Sequence, residues 1–274
     1  MSEKKILPVK SDVIFRLFFA DERNVEYLVG FLKSVLKLPD NDYDEIVIAD
    51  PHLLPDYIGD KYAIIDVKLR TKSNKIIHIE IQLQVTPETQ DRIVFYDAKL
   101  ITEQLGSGDK YKAIQKVISI VITEENMIKK SPKYHHKFIF YDPEAAVEFT
   151  DIIEIHTLEL GKLPKGADGT ELYDWAKFIA AESEEELNMV AERNPQVGKA
   201  IVTLQRLSAD EQARDLYERR EKAIRDIDSR ERWAREKGQA EGKAEGKAEG
   251  NKEIIDLLRS GKTPEEIIRD YEMR

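Results

Sequence analysis

Asp66, Glu80 and Gln82 are the residues of this chain whose types and spacing could do chemistry. Tyr62 to Arg70 reads YAIIDVKLR, in which Tyr62, Ile64, Asp66, Lys68 and Arg70 share one parity and Ala63, Ile65, Val67 and Leu69 the other. Ile77 to Gln84 reads IHIEIQLQ, in which His78, Glu80, Gln82 and Gln84 alternate with Ile79, Ile81 and Leu83. A period of two predicts β-strands, each with one apolar face turned to a core and one polar face turned away. Thr71 to Lys75 supplies turn-forming residues between them, so the two strands make a hairpin that projects Asp66, Glu80 and Gln82 from one side. Any exposed hairpin carries acids and amides on its wet face, and the spacing leaves that reading open. Residue type weighs against it, because acids flanked by Ile or Val are poor strand formers. Mg²⁺ prefers oxygen ligands and takes only one or two carboxylates from protein. Asp66 and Glu80 suit that role, with the backbone carbonyl of Ile81 as a third ligand and Gln82 placed to orient an attacking water.

The elements around the hairpin must hold it still. Ser11 and Asp12 open a helix with Ile14, Leu17 and Phe18 on one face, and a second helix is expected from about Asn24 to Leu38, closed by Pro39. Glu45 to Ala49 is a short strand candidate. Thr86-Pro87-Glu88 starts a helix to about Leu105 that carries Gln90, Arg92, Tyr96 and Lys99; Arg92 and Tyr96 share a face. Val117 to Ile122 reads as a central strand buried on both faces, and Lys137 to Tyr141 and Ile152 to Leu160 as two more. The order implies an α/β arrangement, a mixed sheet flanked by helices.

Composition bounds the rest. The chain has 274 residues, no cysteine and a net charge of −10. It therefore has no disulfide or thiolate metal site, and the charge excludes a general nucleic-acid coat. Basic patches beside the hairpin (Lys68, Arg70, Lys72, Lys75) and at Lys129, Lys130, Lys133 and His135-His136-Lys137 are the remaining candidates for contacting phosphate. No Gly-rich phosphate loop, Cys/His metal cluster or His-Asp-Ser constellation is apparent. No apolar run reaches the roughly 18 residues of a membrane helix and the N-terminus lacks a signal-peptide core, so a cytoplasmic protein without membrane partners is expected.

IIDVKLR followed by IHIEIQLQ resembles the D…ExQ variant of the PD-(D/E)xK nuclease signature, in which Gln replaces the usual Lys. The ordered set of SDVIFRLFF, GDKYAIIDVKLR, IEIQ, RIVFYDAKLITEQLGSGDKYKAIQKVISI and LSADEQARDLYERREKAIRD is similar to the recombination-promoting nuclease/putative transposase family of bacteria, over most of the chain. The resemblance implies a PD-(D/E)xK restriction-endonuclease-like core and a DNA endonuclease that hydrolyses phosphodiester bonds with Mg²⁺ or Mn²⁺, in recombination or mobile elements. It assigns Asp66, Glu80 and Gln82 to catalysis. Lys68 and Arg70, from the basic patch beside the hairpin, are the candidates for DNA, and Arg92, which matches a prominent position of the family pattern, reads as a phosphate contact or, as the safer default, a salt bridge to one of the chain's many acids. Asp12 matches the acid of an N-terminal D-x-x-F pattern, though Arg16 stands where relatives usually carry Lys; a further acid of the site and a simple helix start are equal readings of it. An inactive DNA-associated or assembly protein that keeps the fold, and a nuclease acting on RNA, are the alternatives.

The expected organisation is a nuclease-like domain over 1–165, a helical region over 166–235, a Gly-repeat linker or helix over 236–252 and a helical hairpin over 253–274. Short helices are read at Leu172 to Ala181, Ser183 to Glu192 and Gln196 to Leu207. Ser208 to Glu211 reads as a capping box opening a longer helix. Gly238, Gly242, Gly246 and Gly250 recur every four residues, which suits a linker or a helix packed closely on another; the C-terminal helices are the candidates for homodimerisation.

Overall fold

The computed structural model describes residues 6–49 and 66–272. A six-stranded sheet organises the larger of its two compact units, which ends at Tyr217. In chain order the strands are β1 (Val47–Ala49), β2 (Val67–Arg70), β3 (Ile76–Gln82), β4 (Val117–Thr123), β5 (His135–Asp142) and β6 (Val147–Glu159). They lie side by side as β1-β2-β3-β4-β6-β5, with β3, β4 and β6 parallel and the outer strands antiparallel to their neighbours. This is the mixed sheet flanked by helices expected of a PD-(D/E)xK-like core. The expected first strand is seen only from Val67, since Tyr62 to Ile65 lie outside the described residues.

The hairpin forms where turn chemistry permits it. The Asn74 amide donates to the Thr71 carbonyl and Asn74 takes φ 62°, a left-handed conformation that Asn tolerates well. The register pairs Val67 with Ile79 and Lys68 with His78, so Asp66 comes opposite Glu80. Just past the end of β6, Gly161 packs against the residue that follows β4: its amide donates to the Glu124 carbonyl, which a Cβ would meet at 2.4 Å.

One face of the sheet carries the main core. Val67, Leu69, Ile77, Ile79, Ile81, Ile118, Ile120 and Ile122 are buried there under α1 (Asp12–Phe19), α2 (Val25–Val35), α4 (Glu171–Ala180), α5 (Glu184–Arg193) and α6 (Pro195–Ala209). Phe15, Phe18, Phe19, Phe31, Trp175 and Phe178 interlock between these helices at ring separations of 4.7 to 6.4 Å. In α1 the buried set is Ile14, Phe15, Phe18 and Phe19, a wider stripe than expected, and Leu17 is only partly covered. The second helix stops at Val35, where Leu36 turns extended three residues ahead of Pro39.

Among the described residues α3 (Thr89–Thr102) is the helix on the opposite face, over two small clusters, Ile76-Leu100-Val117 and Ile93-Val121-Met127. The polar face of β3 is therefore not turned to water as the alternation suggests; His78 is 1% exposed. All seven residues of β4 are buried.

The unit from Glu218 onward is helical. Ser208 does not begin the long helix as expected: it belongs to α6, where its hydroxyl accepts from the Leu7 amide. The Asp210 carboxylate caps the Ala213 amide instead, opening α7 (Glu211–Arg259), and the Ala-Glu-Gly-Lys repeat lies within that helix. Gly261, at φ 95°, ends it in a Schellman turn, with Lys262 donating to Leu257 and Gly261 to Leu258. Thr263 and Glu266 then form the reciprocal capping box of α8 (Pro264–Glu272).

Candidate active site

Four elements meet at the carboxyl end of β3, one of the three parallel strands, which is where open α/β sheets commonly present their ligand sites. The start of β2 brings Asp66, the end of β3 brings Glu80 and Gln82, the first turns of α1 bring Asp12 and Arg16, and α3 brings Arg92. The Asp66 carboxylate accepts from the Ile81 amide at 2.7 Å, which fixes it across the hairpin. Burial pushes its pKa up to about 7, against the Ile81 hydrogen bond; the Glu80 and Asp12 charges push the same way, and Arg16 opposes them. These acids therefore share one field.

Glu80 Oε1 accepts from Arg92 Nη2 at 2.9 Å, with the Glu80 side chain 15% exposed and Arg92 39%. Asp12 Oδ1 accepts from the Val13 amide, and Ser11 makes no side-chain cap, so Asp12 serves its own helix while its charge acts on Asp66. Gln82 ends β3 on the same side as Glu80. The Ile81 side chain packs into the main core, and its backbone amide binds the Asp66 carboxylate. Lys68 is two residues along β2 from Asp66, on the same side. Arg70 stands four residues away, roughly 13 Å at strand rise, exposed at the turn end of the hairpin.

Among the described residues no group of three or more His, Cys, Asp or Glu is arranged to hold a metal ion. Asp66 and Glu80 as a pair still have the donor chemistry of a Mg²⁺ or Mn²⁺ site, which needs only one or two protein carboxylates and completes its shell with water. The crowding of negative charge around Asp66 is what a divalent cation would relieve.

The basic patches are largely spoken for. Lys75 binds Asp42, and Lys72 lies within ion-pair range of Asp44 and Glu45. Lys137 and Lys116 both hold Glu154, whose other oxygen meets His156; His156 in turn is hydrogen-bonded to His135. Lys129, Lys130 and Lys133 make no ion pair among the described residues.

One constellation missed from the sequence lies beneath α3. His78 Nε2 and Asp97 Oδ1 are 2.7 Å apart, and the Ser119 hydroxyl is hydrogen-bonded to both. It contains the residue types of a nucleophilic triad, contrary to the expectation that none exists. Its burial argues for another role: all three side chains are at most 1% exposed, so the serine meets no substrate. The trio ties α3 to β3 and β4. Two signals announced it, an aspartate in the Ile93-Asp97-Leu100 stripe of a helix and a serine inside the apolar run VISIVIT.

A sequence model of PD-(D/E)XK nuclease family transposases matches residues 9–232. No curated protein and no solved structure matches the chain.

Proposed function

The chain belongs to the PD-(D/E)XK nuclease family of transposases, and from that premise we propose that it is a Mg²⁺- or Mn²⁺-dependent DNA endonuclease of recombination or mobile elements. The observation that carries this reading is the hairpin register, which sets Asp66 opposite Glu80 and ties the Asp66 carboxylate to the backbone next to Glu80. Asp66 and Glu80 would hold the ion; a bound divalent cation supplies a polarised phosphate and a more acidic water.

The side chains around that pair have separable tasks. Asp12 adds negative charge at the site. Gln82 orients water or phosphate through its amide, which does not ionise and so replaces only part of what a lysine would offer. Lys68, on the same side of β2, is the nearest cation of the hairpin to take up the rest. Arg92 binds phosphate, and the C-terminal helices are the candidates for pairing two copies.

Nicking of supercoiled plasmid in Mg²⁺ tests the proposal. Glu80→Ala and EDTA should each remove activity, the substitution by more than about 100-fold. Equal nicking by wild type and variant would show that the activity is not this protein's. The pairing of Glu80 with Arg92 favours a second reading, a non-catalytic DNA-associated protein. Tight DNA binding that EDTA does not weaken, with no nicking, would establish that alternative.

A further inference from the structure

Arg92 occupies the carboxylate that a metal would need, and its geometry is incomplete where it stands. A guanidinium presents parallel N–H groups that match two oxygens of one carboxylate or phosphate. Here Nη2 donates to Glu80 Oε1, while Nε is buried and has no hydrogen-bond partner among the described residues. A buried donor left without a partner costs a fold stability, so a purely structural ion pair would be expected to use both groups. The pair is also partly open to water, where ion pairs contribute little to folding. Arg92 thus holds Glu80 by half of its fork.

We infer that Arg92 is a resident counter-ion of Glu80 that a divalent cation displaces, freeing the whole guanidinium fork for a phosphate of the nucleic acid. The inference rests on the nuclease reading and adds to it an order of events: the ion and the arginine compete for one carboxylate, and the arginine then cooperates with the ion through the substrate. Only the side chain has to move. The backbone of α3 is pinned five residues further on by Asp97, which is bound to His78 and Ser119. The displaced guanidinium is not needed there as a counter-charge, because the incoming ion brings two positive charges to the field that Glu80, Asp66 and Asp12 share.

Calorimetric titration of the full chain with MnCl₂, without DNA, reads the competition directly. Arg92→Gln should bind Mn²⁺ about five-fold tighter than wild type, and Glu80→Gln should bind it at least ten-fold weaker. Arg92→Lys keeps a competing charge without the fork, so it should return Mn²⁺ affinity close to wild type. In Ca²⁺, both Arg92 variants should bind a short DNA duplex about ten-fold more weakly. In wild type, the Arg92 Nε–Hε resonance should shift on adding a diamagnetic ion such as Mg²⁺. If Glu80→Gln abolishes binding but Arg92→Gln binds Mn²⁺ no tighter than wild type, the displacement idea is overturned and the metal site stands. If wild type binds no Mn²⁺, or Glu80→Gln binds it equally well, the nuclease reading fails and takes this inference with it.

Discussion

Ile118 and Ser119 are consecutive on β4 and both fully buried, yet they point into different kinds of interior. Ile118 joins a continuous apolar core under five helices, whereas Ser119 meets His78 and Asp97 under α3. The difference teaches where each kind of cost falls. The thick side is held by area and close packing, which are tolerant of exact partners but intolerant of voids. The thin side has two small apolar clusters and a few buried polar groups whose partners cannot be exchanged, and His78 and Asp97 stand on the strand and the helix that present Glu80 and Arg92.

Cutting into the thick side should cost most. Phe19→Ala removes a ring in contact with Phe15, Phe18, Phe31 and Trp175, and about 4 kcal/mol of stability should go with it. Urea unfolding would show this as a lower midpoint. Asp97→Ala on the thin side should cost less, about 2 kcal/mol, by removing the buried carboxylate that His78 and Ser119 share. It should also weaken DNA binding, since Arg92 is carried by the helix it loosens. A triple replacement of His78, Asp97 and Ser119 by apolar residues of similar volume should recover most of the stability. If Phe19→Ala disturbs DNA binding as much as Asp97→Ala does at equal stability, the contrast between the two faces does not hold.

The thick side was legible in the sequence because apolar periodicity reports it directly. Val67, Leu69, Ile79 and Ile81 alternate as expected, and β4 is buried throughout. The thin side was legible only in part. Alternation separates two faces of a strand but does not tell a wet polar face from a polar face under a helix, so His78 looked like surface. For Arg92 the sequence offers a phosphate contact or a salt bridge to an acid; that the acid is Glu80 depends on how α3 lies across β3, which no local pattern encodes. Ser208 shows the same limit on a smaller scale: its cap signature was sound, but a distant amide, that of Leu7, claims the hydroxyl while Asp210 caps the helix.

Two titrating groups at different ends of the sheet offer the finest test. Asp66 has its pKa raised from the ordinary carboxylate value to about 7, with burial the main cause. Between the two values the folded chain holds a proton that the unfolded chain has released, so stability falls as pH rises, by at most about 1.4 kcal/mol per pH unit. His135 is pushed down to about 4, by burial and then by the neighbouring His156. Over much of the same range the unfolded chain holds the proton that the folded chain refuses, so stability rises with pH. Partial exposure makes this opposing slope smaller than the ideal one. In EDTA, wild type should therefore show a shallow dependence between roughly pH 4.5 and 6.5. Asp66→Asn should leave stability climbing with pH, and His135→Gln should leave it falling. Denaturant midpoints at intervals across that range measure both slopes. Variants that tilt in the same direction would mean that one of the two ends of the sheet is not buried as described.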